Sequence, residues 1–131
     1  MKTELDEALC RDFPLLYKDR HNDKTCMIYG FSCGDGWESI IRKLSEKLER
    51  MIIALPEDEK KNYYATQVKE KFGGLRCYMS RQTPEMTQVI TEAEDECWKT
   101  CETCGKPGKS VSHRGWLRTS CEECEKKRIN V

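Results

Sequence analysis

Cys101-x-x-Cys104 and Cys121-x-x-Cys124 stand sixteen residues apart near the end of a 131-residue chain, and no other feature of the sequence restricts the fold so tightly. Each short turn aims two sulfurs at one point, and a hairpin across the intervening segment brings the turns together around a tetrahedral ion. The spacing is that of a structural four-thiolate site, predicted to hold one zinc ion (Zn2+) through Cys101, Cys104, Cys121 and Cys124. His113 lies between the pairs and is expected to stay outside the coordination, because four cysteines already close it. A closed shell offers no position for a reactive water, and the chain contains no HExxH, GxSxG or phosphate-loop sequence, so no catalytic residue is assigned.

The chain has nine cysteines, an odd number, and its first residues, MKTELDEALC, lack an apolar signal core. With no uninterrupted apolar run long enough to span a bilayer, the expected setting is a reducing cytoplasm without membrane association. Cys10, Cys26, Cys33, Cys77 and Cys97 fall outside the zinc pattern and read chiefly as small, half-buried apolar residues. A second metal group from His21, Cys26 and Cys33 is the weaker reading, since it lacks a fourth ligand. Basic and acidic side chains number 23 each, so no global field attracts nucleic acid or membrane. Residues 100–131 hold 7 basic and 4 acidic side chains, an excess that the net charge of a four-thiolate zinc site reduces to about +1.

Hydrophobic periodicity predicts an α+β body over residues 1–97, followed by a zinc ribbon over 98–131 packed on it. Leu5, Leu9 and Phe13 form one stripe of a short helix that Pro14 ends. Cys26 to Phe31 reads as a strand or an extended entry into the core. Asp35 and Glu38 have the spacing of a capping box opening a helix over about 36–55, with Trp37, Ile40, Ile41, Leu44, Leu48, Met51, Ile52 and Leu55 on its apolar face. A β-hairpin is predicted over about 64–80, with Tyr64, Thr66, Val68, Glu70 and Phe72 alternating on one face and Gly73-Gly74 as the two-residue turn. Thr83-Pro84-Glu85 then opens a helix over about 84–98 whose stripe is Met86, Val89, Ile90, Ala93 and Cys97. Short strands at 111–114 and 116–119 flank Gly115, and a basic end, KKR, follows the last cysteine pair.

Two surfaces are candidates for contact with nucleic acid or a protein partner. Lys69, Lys71 and Arg76 beside the glycine pair can grip phosphates or form an ordinary solvated strand face. Arg114, Trp116 and Arg118, with Lys106 and Lys109, set an aromatic among cations, as in modules that stack a base; packing of Trp116 over the metal site or against the preceding helix is the favoured alternative. Asp35 with Glu38 is the best carboxylate pair; helix capping is the favoured account of it, and acid–base or metal-dependent nuclease work, which would make the chain an enzyme, is the weaker one.

The motifs CGDGW, QVKEKFGGLRCYM, CETCG, GW and CEEC together resemble a group of small, mostly uncharacterised proteins encoded by phages, prophages and bacteria. The resemblance covers roughly residues 10–125 and rests most on GDGW at 34–37, KEKFGGLR at 69–76 and the paired cysteines. It implies a small α+β body with a C-terminal zinc ribbon, a phage or mobile-element origin and a host-facing or regulatory task. The expected function is that of a non-enzymatic zinc-binding accessory protein acting through protein–protein interaction with an unidentified partner. The alternative is a nucleic-acid-binding zinc-ribbon protein using the basic residues of hairpin and ribbon.

Overall fold

The computed structural model describes residues 1–129, so the last two positions of the predicted ribbon span lie outside the described residues. Helix α1 (Thr3–Asp12) buries Leu9 and stops before Pro14, as its short stripe predicts. The segment from Cys26 is not a single extended run: a 3-10 turn over Cys26–Tyr29 leads into the two-residue strand β1 (Phe31–Ser32). The polar loop before it is fixed by Asp6, whose carboxylate accepts from Arg20 Nε at 2.8 Å and from the Phe31 N–H at 3.2 Å.

Helix α2 (Glu38–Ile53) follows a 3-10 turn over Asp35–Trp37 and buries Ile40, Ile41, Leu44, Leu48 and Ile52. The predicted capping box does not form. The Asp35 carboxylate instead accepts the Lys2 N–H at 2.8 Å, and Glu38 pairs with Arg42 at 3.0 Å, one turn along the helix. An anchored N-terminal segment thus takes the oxygen that the helix terminus was expected to use.

Strands β2 (Ala65–Lys71) and β3 (Gly74–Met79) form an antiparallel hairpin, with β1 parallel to β2 on its other edge. The turn is one residue earlier than Gly73-Gly74. Its central residues are Phe72 and Gly73, with φ of 53° and 88°, the pair of positive values of a type I′ turn. Gly74 is instead the first paired residue of β3, where a Cβ would lie 2.5 Å from the Trp98 indole, so this glycine serves close packing. A bulge between Ala65 and Gln67 resets the alternation, putting Ala65 in the core in place of Tyr64 and Thr66. Phe72, expected on the inner face, is 66% exposed at the tip.

Helix α3 (Pro84–Cys97) matches its prediction closely: the Thr83 hydroxyl accepts the Met86 N–H at 3.2 Å, and Met86, Ile90, Ala93 and Cys97 are buried. It packs against α2 and β3, closing one core that includes Trp37, Leu75 and Val68. The tail contributes the two-stranded ribbon β4 (Lys109–His113) and β5 (Trp116–Ser120) and a terminal helix α4 (Glu122–Ile129), where the sequence suggests only a short basic end. Its charges explain it, with Glu122, Glu123 and Glu125 in the first turn and Lys126, Lys127 and Arg128 in the last, opposite to the helix dipole at each end.

Trp37 has no exposed surface, so Trp37→Ala is expected to destabilise the fold by about 3–5 kcal/mol, the usual range for emptying a large aromatic site. Arg76→Ala, on a partly exposed strand face, is expected to change stability by about 0.5 kcal/mol or less. Urea melts of the two variants check this ranking, and equal midpoints contradict it.

Candidate metal centre

The four cysteines of the spacing pattern converge, with their sulfurs within 4.8 Å of one another. Two local structures bring them there. In the first knuckle, Gly105 N–H donates to the Cys101 carbonyl at 2.9 Å and Cys101 N–H to the Lys106 carbonyl at 2.8 Å, forcing a tight reversal. In the second, the start of α4 folds Cys124 back so that its N–H points at the Cys121 sulfur at 3.4 Å. A bond from Glu102 N–H to the Thr119 carbonyl at 3.1 Å ties the first knuckle to β5, which delivers Cys121.

The donor set fits a tetrahedral metal ion. Sulfurs at ~2.3 Å from a central zinc stand about 3.8 Å apart, and Cys104 and Cys121 are 3.6 Å apart, too far for a disulfide. The cluster is electrostatically graded. Burial opposes ionisation of Cys101, but backbone N–H groups of Cys121, Cys104 and Thr103 outweigh it and pull the thiol down to about 6. Cys124, hydrogen-bonded to the Cys121 sulfur and desolvated, is pushed up to about 12. Backbone donors thus favour the ionised form of Cys101, the form in which a cysteine binds a metal ion.

Among the described residues, no second group of His, Cys, Asp or Glu side chains converges in this way, so His21, Cys26 and Cys33 form no centre. Cys33, Cys77 and Cys97 lie in the core, while Cys10 is half-buried and Cys26 exposed. Burial pushes the Cys10, Cys33 and Cys77 thiols up to about 12 and raises Cys97 as well, which keeps them protonated and inert at neutral pH.

The knuckle is docked on the body through the GDGW turn. Gly36 N–H donates to the Glu102 carbonyl at 2.7 Å, Gly34 N–H to the Glu102 carboxylate at 2.8 Å, and Trp37 Nε1 to the Thr100 carbonyl at 2.9 Å. A Cβ on Gly36 would collide with the Cys101 carbonyl oxygen, so only glycine permits this approach. The hairpin turn forms a second joint: Thr119, itself buried, donates its hydroxyl hydrogen to the Gly73 carbonyl at 2.7 Å. Glu102, Thr119 and Trp98 were not singled out in the sequence. The legible signal was the glycine on each side of Asp35, which marks a close backbone approach.

The candidate contact residues divide between two faces. Lys69 and Arg76 are cross-strand partners, on the face of the hairpin opposite Val68, Cys77 and Leu75. Trp116 is 71% exposed, which overturns the expectation that it packs over the metal site or against the helix; Trp98, stacked over Gly74, takes the packing role instead. Trp116 joins Glu70, Phe72, Gly115 and Leu117 in lining a groove of about 320 Å3 between the tips of the two hairpins. Arg118, two residues beyond Trp116 on β5, has its backbone about 3.1 Å from where a Gly73 Cβ would sit.

Comparison with protein-family models finds no match, and none is found among curated proteins or solved structures. No helix among the described residues is long and apolar enough to cross a membrane.

Cys101→Ser and Cys124→Ser are expected to abolish metal retention while much of the α2–hairpin–α3 body persists by circular dichroism. Gly36→Ala, which alters no sulfur, is expected to weaken retention by displacing Cys101. Metal loading is expected to release protons and to weaken as pH falls, because protons compete for the thiolates. Metal-competition titrations at several pH values measure both effects, and pH-independent affinity contradicts the ligand assignment.

Proposed function

We propose that this chain is a non-enzymatic zinc-binding accessory protein of the phage or mobile-element type that its motifs resemble, acting in the cytoplasm of the bacterial host through a protein partner. Four cysteines satisfy a zinc ion and leave it no position for substrate, so the metal's part is architectural. The best carboxylate pair is engaged elsewhere, Asp35 with Lys2 and Glu38 with Arg42, which removes the clearest candidate for acid–base work.

The observation that carries a binding role is the groove between the hairpin tips, where Phe72 and Trp116 are held in solvent once GDGW, the glycine pair and the cysteines have all been used to join ribbon to body. Large exposed aromatics brought together from two separate elements are characteristic of recognition surfaces. A protein partner is favoured over nucleic acid because Glu70 stands in the groove wall, Lys69 with Arg76 faces away from it, and the chain carries 23 basic against 23 acidic side chains, so no extended phosphate track adjoins the groove.

Purified protein is expected to contain about one zinc per chain, as one four-cysteine site requires. A photo-crosslinking amino acid at Leu117, introduced in expressing cells, is expected to yield a discrete protease-sensitive adduct. A nuclease-sensitive adduct in its place refutes the protein-partner reading.

A further inference from the structure

We propose that the groove between Phe72 and Trp116 receives a large apolar side chain of a partner protein, with an adjacent carboxylate of that partner held by Arg114 and Arg118. The proposal rests on the protein-partner reading above and specifies where and by what chemistry the partner is held.

The backbone at the two tips is the first support. Both hairpins close through type I′ turns, Phe72-Gly73 between Lys71 and Gly74, and Arg114-Gly115 between His113 and Trp116. The first central position of such a turn favours Asn, Asp or Gly, yet here it holds Phe72 at φ 53° and Arg114 at φ 52°. Neither side chain is compensated by burial, since both are exposed. A bulky residue in a left-handed conformation without packing contributes nothing to the fold, and such outliers concentrate at ligand-binding positions.

Charge supplies the second support. None of the ion pairs among the described residues involves Arg114 or Arg118. Arg118 shares a face of β5 with Trp116, and its Nε is buried without a hydrogen-bond partner. Only Nε is fully covered, so the remaining guanidinium nitrogens are the ones open to a ligand, and a carboxylate matches their fork. The one acid in the groove wall, Glu70, is already engaged: its Oε2 accepts the Gly73 N–H at 2.7 Å. Apolar walls of Phe72, Trp116 and Leu117, with Arg114 and Arg118 on the ribbon hairpin beside them, complement an acidic, hydrophobic peptide segment.

The test is selection of a random linear-peptide display library on the zinc-loaded chain, followed by anisotropy measurements with the selected peptides and with a labelled oligothymidine. The proposal requires enrichment of peptides pairing an aromatic or large aliphatic residue with Asp or Glu. It also requires that Trp116→Ala and Arg118→Gln each weaken their binding by about tenfold, the effect of losing an anchoring contact. Phe72→Asn serves as the control against misfolding. Its thermal midpoint is expected to rise, because Asn suits the turn, while peptide affinity falls about tenfold. Peptides that bind Trp116→Ala and wild type equally overturn the groove assignment but leave a protein-binding role elsewhere on the surface. Oligothymidine binding that is lost in Trp116→Ala, with no peptide enriched, overturns both. A lowered midpoint in Phe72→Asn shows that Phe72 supports the fold and likewise overturns the proposal.

Discussion

The contact between the Gly34–Trp37 turn and the Cys101–Gly105 knuckle is the constraint on which the remaining structure depends. Between residues 100 and 129 the buried side chains are Cys101, Thr119 and Ser120, so the tail has no apolar core of its own. A segment this small folds only with a cross-link or a surface to lean on, and it has both. The sulfur cluster fixes the knuckle's shape, and that shape presents the Thr100 and Glu102 carbonyls to the indole N–H of Trp37 and the amide of Gly36. Because Trp37 is also wholly buried in the body, one side chain reports the position of the knuckle directly to the core.

Elements governed by local periodicity were legible in the sequence, and those governed by contacts across the chain were not. The stripe of α2 and the Thr83-Pro84 opening of α3 are local patterns, and both appear as read. The four cysteines were legible for a different reason, since their chemistry permits few arrangements. The hairpin turn failed by one residue because two adjacent glycines do not reveal which supplies the positive φ and which the space. Gly73 takes the turn, and Gly74 is reserved for the Trp98 ring, a neighbour 24 positions along the chain. Asp35 was misread similarly: its partner is Lys2, 33 residues away, and no capping rule reports that.

Trp116 illustrates the same limit from the opposite side. In a ribbon with so few apolar residues, burial of its largest side chain was the physically economical expectation. The structure satisfies the need for packing with Trp98, placed at the end of α3 where the chain passes from body to ribbon. Trp116, on the strand leaving a tight turn, is then free of any structural duty. Its exposure beside Phe72 is therefore a residue of what the fold does not require, and that makes the tips the more informative surface for function.

The two tips are connected to the sulfur cluster through a short chain of contacts. Cys121 directly follows β5, and within that strand the buried Thr119 hydroxyl holds the Gly73 carbonyl while its own carbonyl accepts the Glu102 N–H. Thr119 thus links sulfur cluster, first knuckle and hairpin turn in one place. Leu117 and Trp116 lie two and three residues upstream on the same strand, so their distance from Phe72 is set by the same hydrogen bond. With no apolar core in the tail, β5 is held against Gly73 only through the sulfur cluster, the ribbon pairing and this hydrogen bond. The sulfur cluster and the aromatic groove are thus positioned by one strand, although none of the four cysteines lines the groove.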